Sequence, residues 1–240
     1  MNAPMRKVML ATPTKSGDTT IYYTVALAHS MYLAGQRGLD LYPQFIPHDS
    51  FIHNTRNRFL TYMLEQDCDD IIFGDADNDW EPEWVFTLLS HPVDCVGGTY
   101  PRKQEAEEYE IRSRASPVRR CPRTGLLEVD GLGAGFLRLS RHAVRTLWHA
   151  SPSYRYKGET LRMMCDVKVV DGELMGEDTS LVENLAKLGI QAYLDDTMTC
   201  GHTGTKRWKG DIRPWLAKVV AQRAAPMQAA VGPDAGKVLP

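Results

Sequence analysis

Apolar and polar positions along the chain fall into two kinds of block. Lys7-Val-Met-Leu-Ala-Thr12 and Asp70-Ile-Ile-Phe-Gly74 are unbroken apolar runs too short for helices. They have the continuous character of strands buried on both faces of a sheet. Between them lie stretches of helical spacing. In residues 19–34, Tyr22, Val25, Ala26, His29 and Tyr32 fall near one face. A second helix is expected from Ser50, a candidate cap, to about Glu65, with Ile52, Phe59, Leu60, Met63 and Leu64 turned inward. Further strands are expected at residues 39–46 and 93–97, and a short helix at 83–89. Strands alternating with helices predict an α/β fold with a central, mainly parallel sheet flanked by helices. Ligands of such sheets bind beyond the carboxyl ends of the strands, where the loops 12–18 and 75–79 fall.

The second half is less regular. Residues 101–125 form a polar excursion whose 111–123 portion holds five arginines and no acid. Residues 126–139 are apolar but interrupted by Gly131, Gly133 and Gly135, as where a backbone approaches a ligand closely. Residues 151–175 read as one long loop of the kind that is functional or mobile. A helix opens at Gly176 and runs to about Leu188, and a last strand occupies 190–194. The expected organisation is one catalytic domain over 1–222 and a flexible tail over 223–240, where Ala, Pro and Gly dominate.

Composition narrows the class. A chain of 240 residues with 43% apolar content can bury a sizeable core, in one large domain or two small ones. No run approaches the ~18 continuous apolar residues of a membrane span, so no membrane partner is expected. The N-terminal apolar run reads as a core strand, not a signal peptide. Five cysteines without a Cys-x-x-Cys pair disfavour a disulfide framework or zinc knuckle and predict a reducing, cytoplasmic setting. A net charge of −2 excludes a uniformly basic nucleic-acid binder while leaving room for local basic patches.

Four constellations carry candidate chemistry, each with a plainer alternative. In Gly74-Asp-Ala-Asp-Asn-Asp79 the acids at alternate positions repel one another unless a cation or donor stands between them. A solvated turn accounts for them. So does a Mg²⁺ or Mn²⁺ site, since the strand delivers hard oxygens to the ligand-binding edge. Glu177 and Asp178 at a helix start either answer the helix dipole or supply a general base. His202 and Lys206, in Cys200-Gly-His-Thr-Gly-Thr-Lys206, belong to a polar surface loop or to a metal and phosphate site. Arg56 and Asn57 lie on a solvent face or early enough in their helix to reach a nucleotide.

In chain order these features resemble nucleotide-sugar-dependent glycosyltransferases of the A-type, Rossmann-like fold (family-2-like). The features are a Thr-Pro loop after strand one, an Arg-Asn helix, a strand ending in Asp-x-Asp, a GLGAGF segment, a Glu-Asp helix start and a late His-x-Gly. More narrowly, the chain resembles small bacteriophage glycosyltransferases, some of which decorate modified pyrimidines in viral DNA. The resemblance spans roughly residues 5–210. It implies Asp77 as principal ligand of Mn²⁺ or Mg²⁺, His202 as the second, and Asp75 on the metal or the ribose. It implies Lys206 on the diphosphate of a nucleoside-diphosphate sugar, with Thr12, Pro13 and Arg56 around the nucleotide. Asp178 becomes the base of an inverting displacement with Glu177 as its neighbour, and the three glycines pass close to donor sugar and acceptor. Asp79 is extra to the usual Asp-x-Asp.

For the acceptor, the 111–123 arginines and the segment 206–223 are locally basic, and Trp208 and Trp215 interleave the second. Basic groups with aromatics suit a nucleic acid, although arginine-rich loops also merely solubilise a surface. The expected partners are a nucleotide sugar and DNA carrying hydroxymethylated bases, whose target base must be flipped out of the duplex. A surface glycan or protein acceptor, and a nucleotide-sugar binder without turnover, are the alternatives.

Overall fold

The computed structural model describes residues 5–224. Strand β1 (Lys7–Thr14) leads through helix α1 (Ile21–Arg37), β2 (Asp40–Pro47) and helix α2 (Ile52–Glu65) to β3 (Asp70–Gly74). The short β4 (Asn78–Asp79) and helix α3 (Glu83–Ser90) precede β5 (Cys95–Thr99), β6 (Ile111–Arg112), β7 (Leu127–Val129), β8 (Gly131–Leu132) and β9 (Phe136–Ser140). Helix α4 (Arg141–Ala150) is followed by two hairpins, β10 (Ser153–Tyr156) with β11 (Glu159–Arg162) and β12 (Lys168–Val170) with β13 (Glu173–Met175). Then come helix α5 (Glu177–Lys187), β14 (Ala192–Thr199), β15 (Gly201–Thr203), β16 (Arg207–Trp208) and helix α6 (Ile212–Ala224). The tail expected from 223 begins inside α6, and the rest of it lies outside the described residues.

The central sheet has seven strands in the order β2-β1-β3-β9-β5-β14-β7. Five run the same way, while β9 and β7 are reversed, so the sheet is mainly parallel as the alternation predicts. Successive residues of β1 face opposite sides. Met9 and Ala11 join a core with Phe59 and Met63 of α2, Val144 of α4 and Leu181 of α5. Val8 and Leu10 join another with Tyr23 of α1 and Val85 of α3. Helices on both faces explain why β1 and β3 read as unbroken apolar runs.

Three expectations fail locally. On α1 the buried residues are Tyr23, Ala26, Ser30 and Ala34, while Tyr22, Val25 and Tyr32 are exposed. The packed face uses small side chains because Trp80 stacks over it, with its indole N–H donating to the Ser30 hydroxyl at 3.0 Å. Residues 151–175 are no open loop. Their hairpins turn at Lys157-Gly158 and Asp171-Gly172, all four in the left-handed region that two-residue turns require. In α2 the expected Ser50 cap is absent. Phe51 occupies the N-cap, and its backbone N–H donates to the Asp49 carboxylate instead.

Candidate active site

At the carboxyl edge of the sheet, Pro13 and Thr14 of β1, the 15–20 loop, the Asp49–Ser50 corner and the Asp75–Asp77 turn enclose a cavity of about 500 Å³. The Thr20 N–H donates to the Ala76 carbonyl at 2.9 Å and ties two of these walls together. Thr12, expected at the nucleotide, is fully buried with its hydroxyl on that of Tyr23, and the two residues after it form the wall instead. Asp49 is only 6% exposed. One of its oxygens accepts from the Tyr156 hydroxyl at 2.7 Å and from the Phe51 N–H, while Oδ2 accepts no hydrogen bond among the described residues. Burial pushes this carboxyl up, but those donors and nearby Lys157 outweigh it and hold it below the ordinary range. A carboxylate with one oxygen hydrogen-bonded and the other 3.6 Å from the Lys157 ammonium thus stands in the cavity wall.

The acids of the 75–79 turn each meet a different cation. Asp79 is taken up by the guanidinium of Arg207 from β16, and its strand pairs with β15, so it serves the fold. Asp75 accepts from Arg56 at 3.0 Å. Asp77 has Lys103 Nζ at 2.5 Å on one oxygen and His202 Nε2 at 3.7 Å from the other. Burial raises the Asp77 carboxyl, yet Lys103 and His202, the latter in its protonated form, together bring it down to about 2.

His202 Nδ1 lies 2.9 Å from the Pro101 carbonyl oxygen, which can only accept. The ring proton therefore sits on Nδ1, and in the neutral imidazole the Nε2 lone pair points toward Asp77. Two ligands of one small divalent ion lie within about 4.2 Å of each other, given ligand distances near 2.1 Å. Asp77 and His202 meet that condition with hard and borderline donors that suit Mg²⁺ or Mn²⁺. Among the described residues no group of three or more metal-ligating side chains exists. The remaining positions of such an ion would belong to water and substrate oxygens, the usual arrangement for Mg²⁺.

Behind Asp75 lies the buried guanidinium of Arg56, 2% exposed. It ion-pairs Asp75, reaches Glu177 Oε1 at 3.3 Å and donates to the Ala134 carbonyl. Arg56 therefore joins the 75–79 turn to the start of α5 and does not stand free to meet a nucleotide. Beside Glu177, Asp178 accepts from the Thr179 N–H at 2.6 Å. Burial and the Glu177 charge raise the Asp178 carboxyl above its ordinary value, against the pull of Arg56. The two neighbours therefore differ in environment, Glu177 lying against a guanidinium and Asp178 having heightened proton affinity.

Other expected participants lie elsewhere. Lys206 points to Glu105 at 2.8 Å and over the Trp208 ring, with no contact to the acids of the turn. The space a side chain would need at Gly133 and Gly135 is filled by Tyr100 and Asn78, so these glycines admit the protein's own groups. Trp215 is partly buried, packed edge-on against Tyr109 at the margin of the core. In the arginine-rich segment, Arg119 pairs with Glu128 and Arg120 with Asp196, while Arg112, Arg114 and Arg123 are exposed without an ion-pair partner among the described residues. All five cysteines are buried and free. Among the described residues no helix is long and apolar enough to cross a membrane. Asp49, Lys103 and Tyr100 had not been singled out by type or spacing.

No protein-family model matches the chain, and no curated protein matches its sequence. Among solved structures, A197 from STIV is similar in fold, with a TM-score of 0.52 at 16% identity over 82% of this chain and 86% of that one. A glycosyltransferase involved in the glycosylation of the major capsid of PBCV-1 overlaps with a TM-score of 0.34 at 11% identity, over 58% of this chain and 62% of the other. S. aureus TarS 1-349 in complex with UDP-GlcNAc overlaps at 0.38 and 10% identity, over 80% of this chain and 55% of the other. The last two share too little backbone to carry a functional assignment. At 16% identity the likeness to A197 is one of fold, a mixed α/β architecture around a mainly parallel sheet.

Proposed function

We propose that the chain is a metal-dependent glycosyltransferase that moves a sugar from a nucleoside-diphosphate donor to a hydroxyl acceptor with inversion. One observation carries the reading. A cavity of nucleotide size at the carboxyl edge of the sheet is flanked by the Asp77–His202 pair, and the buried guanidinium of Arg56 links its wall to Glu177 beside Asp178. In this reading Asp49 accepts from an N–H or O–H of the nucleoside, and Asp77 with His202 holds Mn²⁺ or Mg²⁺. The ion when bound offsets the charge that develops on the leaving diphosphate. Asp178 accepts the proton of the attacking hydroxyl, and its raised proton affinity suits a base that must still be ionised near neutral pH. Arg56 ion-pairs the neighbouring Glu177 and holds it in place beside Asp178.

The acceptor class we put first is DNA bearing 5-hydroxymethylated pyrimidines. Its support is the exposed Arg112, Arg114 and Arg123, which have no ion-pair partner among the described residues and suit the neutralising of phosphates. The test is release of nucleoside diphosphate from a panel of nucleotide sugars with Mn²⁺, with and without hydroxymethylated DNA, followed by mass analysis of the DNA. Release accompanied by a hexose or pentose mass increment on the base supports the reading. No release with any donor refutes enzymatic transfer, and release without DNA modification moves the acceptor to a glycan or protein.

A further inference from the structure

The residue that faces a donor diphosphate is not the lysine that sequence order points to. Residues 101–109 leave β5 as an antiparallel excursion closed by a Pro101–Tyr109 bridge and an Arg102 N–H to Glu108 carbonyl bond of 2.7 Å. The excursion crosses over the 75–79 turn. Its Pro101 carbonyl fixes His202, and its Glu105 takes the ammonium of Lys206 at 2.8 Å. Between those two anchors Lys103 sets its own ammonium on Asp77, at the mouth of the cavity.

Three cations touch the acids of the turn, and two of them are committed. Arg56 is buried between two carboxylates, and Arg207 grips Asp79 with two nitrogens. Lys103 makes one polar contact, is 35% exposed, and carries its ammonium on a flexible four-carbon stem that runs past Gly204. An anion arriving beside Asp77 would meet that ammonium first. Lys206 is held away by Glu105 and the Trp208 ring, where it anchors the excursion that carries Lys103.

We infer that Lys103 is the diphosphate-binding residue of this site, releasing Asp77 to contact the donor phosphates, and that Lys206 acts only as an anchor. The inference rests on the glycosyltransferase reading given above.

Calorimetry with Mn²⁺ alone and with Mn²⁺ plus inorganic pyrophosphate tests both at low salt, where a partly exposed charge is least screened. A charge-assisted contact to phosphate predicts pyrophosphate affinity about tenfold weaker in Lys103→Ala, with Lys103→Arg within about threefold of wild type and Lys206→Ala within about twofold. Mn²⁺ alone binds Lys103→Ala as tightly as wild type or tighter, because a competing charge has left Asp77. Wild-type pyrophosphate affinity in Lys103→Ala overturns the inference, as does a loss confined to Lys206→Ala. Weaker binding of Mn²⁺ alone to Lys103→Ala also overturns it, since that result marks a lysine that merely holds Asp77 in place. A wild-type protein that binds neither Mn²⁺ nor pyrophosphate overturns the glycosyltransferase reading together with the inference.

Discussion

Replacing Arg56 by methionine keeps most of the side-chain volume and removes the charge that two carboxylates share. Breaking a buried ion pair by deleting one partner costs about 3–5 kcal/mol, because the partner is left uncompensated. Here Asp75 is 22% and Glu177 14% exposed, so water reaches both and the low end applies, about 3 kcal/mol. For a domain of this size each kcal/mol moves Tm by about 2–4 °C, which gives a drop of roughly 6–12 °C in a thermal melt. Urea unfolding provides the free energy directly. The charge argument makes a second demand: Arg56→Met combined with Asp75→Asn and Glu177→Gln restores at least about half of the loss, since no unpaired carboxylate remains. A triple variant no more stable than Arg56→Met would assign the loss to packing on Phe73 and refute the electrostatic account.

The other expected outcomes concern the proposed chemistry. Asp178→Asn lowers kcat by about 10²–10⁴-fold while leaving donor affinity unchanged in calorimetry, and a near-wild-type rate removes Asp178 as base. A base works only when ionised, so the rate falls as pH drops through the raised Asp178 pKa; deleting the Glu177 charge moves that limb of the kcat profile to lower pH and deleting Arg56 moves it higher. His202→Ala weakens Mn²⁺ binding measured by electron paramagnetic resonance by at least about tenfold, and an unchanged affinity takes His202 out of the ligand set. Asp49→Asn weakens nucleoside-diphosphate binding by about 10–100-fold yet spares pyrophosphate, because in the proposed reading its carboxylate meets the nucleoside and not the diphosphate; equal losses for both ligands would place it elsewhere.

The order of strands and helices was readable because β1 and β3 are buried on both faces and leave uninterrupted apolar runs. The inward face of α1 was not, since tyrosines and valine outscored the alanines and Ser30 that Trp80 selects. The two hairpins had a usable signal in Asp171-Gly172 flanked by Val-Val and Glu-Leu, but strands of three or four residues with charged members hide their alternation. In the site, residue type pointed to the acids, the histidine and the arginine. Which cation meets which acid was hidden, because Asp77–Lys103 and Asp79–Arg207 are set by how distant loops cross. Asp49 is one acid among many until the end of β2 carries it to the cavity wall.

The reversed strand β9 lies between β3 and β5, so the N-terminal portion of the chain cannot assemble its share of the sheet alone. Although residues up to 77 supply the whole wall of the cavity, both flanks that β9 must join remain bare edges until residue 140 has been made. On a ribosome that interval leaves strands open to wrong partners, which is where a chaperone would act. A fragment ending after β5 would carry every residue of the cavity wall, but neither Lys103 nor His202, and would still not form a nucleotide-binding module. The late segment that contributes no catalytic group is thus the keystone of the pocket's assembly.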